Sequence, residues 1–187
     1  NKIMSLTETP ICNFGEKAKN FDLTSTENKK TSLDNVKGKN GTLIMFICNH
    51  CPYVKAVIKD IVKDAKYLET LGIKSAAIMS NDVKNYPEDS FENMISFSKT
   101  HKFTFPYLID ETQEVAKEYG AVCTPDFFGY NKNLELQYRG RIRELKNLKP
   151  IGKGESDLNI AMRLIATSGK GPKNQIPSMG CNIKWFK

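Results

Sequence analysis

Thr42-Leu43-Ile44-Met45-Phe46-Ile47-Cys48-Asn49-His50-Cys51-Pro52-Tyr53-Val54-Lys55 holds two thiols at the point where the chain changes conformation. The apolar run 42–47 reads as a buried strand, and from Pro52 to about Leu71 the apolar residues Val54, Val57, Ile58, Ile61, Ala65 and Leu68 recur at helical steps. Gly72 closes that helix. Pro52 suits the first turn, where no backbone donor is needed. At a helix start the unpaired N–H groups and the positive end of the dipole favour an anion, so a thiol there ionises below its free pKa of ~8.5. Cys48 is therefore expected to be the nucleophile. Cys51, one turn on, is near enough to close a small disulfide ring and resolve a mixed disulfide. The chemistry implied is thiol–disulfide exchange.

Working outward, Phe21-Asp22-Leu23 and Thr31-Ser32-Leu33 flank a polar run and predict an N-terminal β-hairpin. Ile73–Met79 and Phe105–Ile109 read as strands, with helices predicted over 90–101 and 111–119. Strands alternating with helices imply parallel pairing with right-handed crossovers. Asp126–Tyr130 and Leu134–Gly140, joined by Asn131-Lys132-Asn133, then imply an antiparallel hairpin. A last helix is predicted over 155–167. The pattern is α/β, a central mixed sheet flanked by helices with the dithiol at its first strand–helix junction, which is the arrangement of the thioredoxin fold.

The 187 residues, 40% of them hydrophobic, suffice for one core and predict a single domain over 1–187, with 169–187 as an extended tail. No run approaches the ~18 apolar residues needed to cross a bilayer. The first residues lack the basic-then-apolar pattern of a signal peptide, so the expected compartment is the cytoplasm, with a trimmed leader as the alternative. A net charge of +7 comes from scattered lysines and only four arginines, which argues against a nucleic-acid surface. Five cysteines, an odd number, argue against a secreted disulfide scaffold. Cys12 reads as a small apolar filler and Cys123 as either an auxiliary thiol or a filler. Cys181, in an exposed-looking tail, either resolves a disulfide with another chain or belongs to a tail anchored by Trp185 and Phe186. Cys48, His50 and Cys51 have no second C-x-x-C or paired histidine to complete a metal site, His101 being the only other histidine, so no metal and no cofactor are expected. As a donor between the cysteines, His50 would favour the Cys48 thiolate over the disulfide and raise the oxidising power of the pair.

Several blocks carry a resemblance: residues 45–55 of the dithiol segment, Tyr86-Pro87-Glu88-Asp89-Ser90, Asp110-Glu111-Thr112-Gln113, Cys123-Thr124-Pro125-Asp126-Phe127-Phe128, Tyr138-Arg139-Gly140-Arg141, and Pro177-Ser178-Met179-Gly180-Cys181-Asn182-Ile183-Lys184-Trp185. With them the chain resembles bacterial thioredoxin-like redoxins of the alkyl hydroperoxide reductase/thiol-specific antioxidant (AhpC/TSA) superfamily. The resemblance implies a cis Thr124-Pro125 bond opposite the dithiol, with Thr124 and Pro125 docking an extended substrate beside Cys48. Peroxiredoxins of that superfamily carry Pro-x-x-x-Thr/Ser-x-x-Cys, their peroxide-attacking cysteine standing where Cys51 stands. Here Cys48 replaces the hydroxyl residue and Ile44 the proline, while Arg139, Arg141 and Arg143 remain as sources of a cation near the thiolate. Thioredoxins also bury an acid where this chain has Thr42, so the acceptor of the resolving cysteine's proton is left unidentified.

The function expected is a thiol–disulfide oxidoreductase acting through Cys48 and Cys51 on protein or small-molecule disulfides and dithiols, as a monomer or dimer. The alternatives are a thiol peroxidase consuming peroxides with a thiol reductant, and a noncatalytic redox-sensing module. The expected activity requires the two sulfurs to be reachable across a shallow groove from the proline loop.

Overall fold

A computed structural model describes residues 5–187. In chain order the strands are β1 (Leu6–Glu8), β2 (Asp22–Ser25), β3 (Lys30–Ser32), β4 (Gly41–Phe46), β5 (Ile73–Met79), β6 (Tyr107–Ile109), β7 (Cys123–Thr124), β8 (Asp126–Tyr130), β9 (Leu136–Tyr138), β10 (Leu145–Lys146), β11 (Lys149–Pro150) and β12 (Met179–Asn182). The helices are α1 (Leu33–Val36), α2 (Pro52–Thr70), α3 (Phe91–Thr100), α4 (Glu114–Tyr119) and α5 (Asp157–Ser168). Seven strands form the central sheet in the order β3-β2-β6-β5-β4-β8-β9. β4, β5 and β6 run parallel, and the hairpins β2–β3 and β8–β9 close the two edges with antiparallel pairing. The thioredoxin-like mixed sheet and the N-terminal hairpin are as the sequence predicts.

β4 explains why the sequence there is an unbroken apolar run. All six of its residues are buried, because helices cover both faces of the sheet. Leu43, Met45 and Ile47 face one core with α2 and α5 residues such as Val57, Ile61, Leu68 and Met162. Ile44 and Phe46 face the other with Val36, Ala116, Tyr119 and Phe128. Each fully buried Leu, Ile or Phe contributes roughly 1.5–3 kcal/mol, so β4 is fixed in register and the residues after it emerge at a defined point. Ile47 still pairs with Ile78 through its N–H, 3.0 Å from the carbonyl, and Cys48 follows at the end of the ladder.

α2 then starts at Pro52, with Cys51 in the N-cap position. Elsewhere the polar caps are ordinary: Ser90 caps α3 and Ser156 caps α5 through their hydroxyls. α2 has a sulfur there instead, and its side chain makes no cap hydrogen bond. The helix ends at Gly72, whose φ of +78° is the left-handed conformation expected after a C-cap.

Several predicted elements are shorter than their patterns, among them the strand expected over 105–109, which is confined to Tyr107–Ile109. The helix expected from Glu111 begins at Glu114, because Gln113 has φ +67° and the Asp110 carboxylate takes the Val115 and Ala116 N–H groups as a cap. The strand expected over 134–140 is confined to 136–138, since Leu134, with φ +59°, is spent in closing the hairpin. The largest departure is in the tail. Residues 179–182 form β12, the middle strand of a second sheet in the order β1-β12-β7. No helix among the described residues is long and apolar enough to cross a membrane.

Leu68 lies on the buried stripe of α2 and has no exposure. Leu68→Ala is expected to lower the unfolding free energy by about 2–5 kcal/mol, read as a lower urea midpoint at an unchanged slope; a loss below about 0.5 kcal/mol would contradict this packing.

Candidate functional site: a buried thiol cluster

The β4–α2 junction and the β7–β8 link bring Cys48, Cys51 and Thr124 together. The Thr124-Pro125 peptide is cis, as expected. The Thr124 hydroxyl is 3.6 Å from the Cys48 sulfur, and the Cys51 sulfur is 3.4 Å from the Thr124 carbonyl oxygen. A third sulfur stands closer still. Cys181, on β12, lies 2.7 Å from Cys51, Sγ to Sγ. All five cysteines are buried, and none is in a disulfide.

The expected open groove is filled by the chain itself. Cys48 is 1% exposed and Cys51 not at all. β12 pairs antiparallel with β7, Cys181 opposite Thr124 and Asn182 opposite Cys123, so residues 179–182 lie on the backbone edge that the sequence reading assigns to a substrate. A cavity of about 460 Å³ opens beside this point, lined by Tyr53, Pro125, Arg141 and Met179 but by neither member of the dithiol.

The charge is also distributed differently from the sequence expectation. Burial pushes the Cys48 thiol well above its ordinary value, and its hydrogen bond to Cys51 adds to the rise. Cys51 is lowered far below the thiol range, chiefly by the Cys181 thiol and next by the Cys48 thiol, with the Val54 N–H helping from the first turn of α2. Cys181 is raised by serving Cys51 as donor and by burial. Of the three sulfurs, Cys51 is thus the one whose ionisation its neighbours favour. Of the two cysteines, Cys51 stands in the N-cap position of α2, and Cys48 ends the strand side of the loop.

Cys123 is fully buried, and its sulfur lies 3.6 Å from the Pro125 carbonyl oxygen; burial raises its pKa. The auxiliary thiol in contact with the dithiol is thus Cys181, not Cys123. Cys181 is only 3% exposed, and the anchors of its segment are not the predicted aromatics, since Trp185 is 37% and Phe186 50% exposed. Instead the Ser178 hydroxyl donates to the Pro125 carbonyl at 2.7 Å, and Ile183 is buried. Lys184 donates its N–H to Asn81 and accepts from the Gln113 side chain through its carbonyl. These partners lie from 53 to 103 residues away in the chain and leave no local trace in the sequence.

His50 finds a carboxylate. Its Nδ1 is 2.7 Å from Oδ2 of Asp89, which is wholly buried and also accepts from the Asn49 N–H and the Asn81 amide. Asn49 in turn accepts from the Tyr107 hydroxyl. Asp89 thus pins the loop between the cysteines, a role sequence reasoning missed, although the block containing it was singled out. Cys48, His50 and Asp89 each offer one ligand atom, all within 4.8 Å of one another, the only such trio among the described residues. Sulfur, nitrogen and oxygen donors suit an ion of the zinc type, but its binding would have to replace the His50–Asp89 pair. Thr42, in the position of the thioredoxin acid, is buried and accepts from the Gly38 N–H. The three candidate cations are each held by a carboxylate: Arg139 by Asp126 at 2.9 Å, Arg141 by Asp157 at 2.6 Å and Arg143 by Asp60 at 3.5 Å.

The fold and the cysteine-bearing junction define a thioredoxin-like redoxin. The AhpC/TSA family pattern matches residues 14–145, and the chain belongs to that family. Among solved structures it is similar to an uncharacterized conserved protein from Geobacillus kaustophilus, at 40% identity over 98% of this chain and 97% of that one, with a TM-score of 0.92. A hypothetical protein from Sinorhizobium meliloti 1021 is 34% identical over 96% and 97% of the two chains, with a TM-score of 0.88. Peroxidoxin BcpB from Mycobacterium tuberculosis shares the fold at 14% identity, over 66% of this chain and 81% of that one, with a TM-score of 0.55. No curated protein matches the sequence significantly.

Asp89 raises the pKa of His50 above the ordinary 6.5, chiefly through the close approach of its carboxylate to Nδ1. The charged imidazole therefore stabilises the fold fully below pH 6.5, and this contribution fades as pH rises through the raised folded value. In Asp89→Asn, NMR titration of the His50 ring is expected to move to lower pH than in the wild type; an unmoved titration would show that Asp89 does not hold the charge.

Proposed function

We propose that the chain is a thiol–disulfide oxidoreductase that exchanges electrons through Cys48 and Cys51. The observation that carries this reading is geometric: both sulfurs meet the residue before the cis Pro125, Cys48 at 3.6 Å from the Thr124 hydroxyl and Cys51 at 3.4 Å from the Thr124 carbonyl oxygen. The Cys51 thiolate attacks one sulfur of a substrate disulfide. The substrate S–S bond breaks, a Cys51–substrate mixed disulfide forms, and the other substrate sulfur leaves as a thiolate. Cys48 then gives up its proton to the His50–Asp89 pair, whose atoms lie within 4.8 Å of its sulfur. Its thiolate attacks Cys51, and the second substrate sulfur departs as a thiol once that proton reaches it. Two electrons have passed to the substrate, and a Cys48–Cys51 disulfide remains. The reverse sequence oxidises a dithiol.

Thr124 and Pro125 present the docking edge, and protein or small-molecule disulfides are the substrate class. Because residues 179–182 cover that edge, a substrate enters only when the segment opens locally, and turnover scales with the open fraction. His50 acts here as a positioning and proton-accepting partner of Asp89.

A second reading, a thiol peroxidase, is favoured by one observation: the sulfur at the start of α2 is that of Cys51, the residue in the place of the peroxide-attacking cysteine of peroxiredoxins. Its thiolate would attack one peroxide oxygen, break the O–O bond and release an alcohol or water, and Cys48 would condense with the sulfenic acid to give a disulfide and water. Against it, Cys48 stands where peroxiredoxins have a hydroxyl, and the three nearby arginines are committed to Asp126, Asp157 and Asp60.

Reduction of a protein disulfide and consumption of peroxide, each with a thiol reductant, separate the two. The wild type is expected to reduce the disulfide, and Cys51→Ser to lose more than about a hundredfold of that rate, as removal of an attacking nucleophile does. Peroxide turnover without disulfide reduction would replace the first reading by the second. Neither activity would leave the dithiol as a redox-sensing element.

A further inference from the structure

We propose that Cys181 is a third redox thiol of this centre, which exchanges with the dithiol so that oxidised chains interchange between a Cys48–Cys51 and a Cys51–Cys181 disulfide. The proposal rests on the reading of Cys48 and Cys51 as a redox dithiol and adds a residue far from them in sequence.

The argument is geometric. Disulfide exchange needs an attacking sulfur close to the sulfur it attacks, and the Cys51 and Cys181 sulfurs are 2.7 Å apart, not far beyond the ~2.05 Å of the bond itself. Nothing need be brought together by chance motion, because β12 is paired on both edges. Leu6 lies opposite Cys181 on β1 and Thr124 opposite it on β7. The approach is close because residue 180 is glycine: a Cβ there would lie 2.0 Å from the Thr124 carbonyl oxygen. Ser178 before it, bonded to Pro125, and Lys184 after it, bonded to Asn81, fix the segment at both ends. An extended strand, antiparallel to the residue before the cis proline and carrying a cysteine onto the dithiol, stands as an intramolecular substrate would.

The step balances without an external reagent. In the Cys48–Cys51 disulfide left by substrate reduction, the Cys181 thiol loses its proton and attacks the Cys51 sulfur. The Cys51–Cys181 bond forms, the Cys48–Cys51 bond breaks, and Cys48 leaves with its charge and takes up the proton. No net oxidation occurs. The consequence is that the covering strand becomes covalently tied to α2 in the oxidised chain and is released from that tie by reduction.

The test is disulfide mapping of the full chain after oxidation by diamide, a small diazene that accepts two electrons and two protons from a dithiol and bypasses any natural substrate. Cleavage after lysine puts Cys48 and Cys51 in peptide 40–55 and Cys181 in peptide 174–184. Unreduced mass spectrometry is expected to find the 40–55/174–184 crosslink in the wild type. Cys181→Ser should give only the internal 40–55 disulfide. Gly180→Ala, which forces β12 away from β7, should lower the crosslink yield by about tenfold or more while retaining the internal disulfide. Absence of the crosslink from the wild type overturns the proposal even where Cys48→Ser forms one. If the internal disulfide still appears, the dithiol reading survives that failure; if no disulfide at Cys51 forms in any variant, both fall.

Discussion

A strand that is dry on both faces can leave its sheet at only one point, and β4 leaves it at Cys48. The alternation of Leu43, Met45 and Ile47 into one core and Ile44 and Phe46 into the other fixes β4 in register against β5 and β8. The next four residues must then turn into α2, and that places the Cys51 sulfur where a helix offers its unpaired N–H groups. Everything chemical in the molecule follows from this constraint. A thiol at an N-cap is a poor acceptor and a thiolate a better one, so the helix and the anion stabilise one another.

Burial sharpens the effect. In a low-dielectric interior, three sulfurs cannot all ionise, and the two that keep their protons become donors to the one that does not. Cys51 is the sulfur whose ionisation is favoured, because it sits at the helix start and faces both other sulfurs. Asp89, in the turn before α3, holds the loop between the cysteines in place through Asn49 and His50. Arg139, placed by its neighbourhood as a candidate cation for the thiolate, instead pairs with buried Asp126 and lies over the Phe128 ring.

Much of this was legible in the sequence. The uninterrupted apolar run of β4, the helical spacing after Pro52, the polar turn at 131–133 and the Thr124-Pro125 pair define the sheet, its order and the junction. What stayed hidden was long-range. Nothing local to Gly180-Cys181 states that this segment lies between β1 and β7, because a two- to four-residue strand has too little alternation to declare a face. The choice of Cys51 over Cys48 as the charged sulfur was hidden for the same reason: it depends on Cys181, 130 residues away. The openness of the site was misjudged with it, since a groove read from Cys48 and Pro125 alone looks empty until β12 is laid in it.

The reduction potential of the Cys48/Cys51 pair, measured by equilibration with glutathione redox buffers in the wild type and in Cys181→Ala, tests the central claim most directly. A thiolate stabilised by two neighbouring thiols stabilises the reduced state, so the wild type should lie nearer the oxidising end of the range of about −120 to −270 mV found for such dithiols, and removal of the Cys181 donor should shift it toward the reducing end. A wild-type potential at or below about −270 mV, unmoved in Cys181→Ala, would contradict a charge held on Cys51 by its sulfur neighbours.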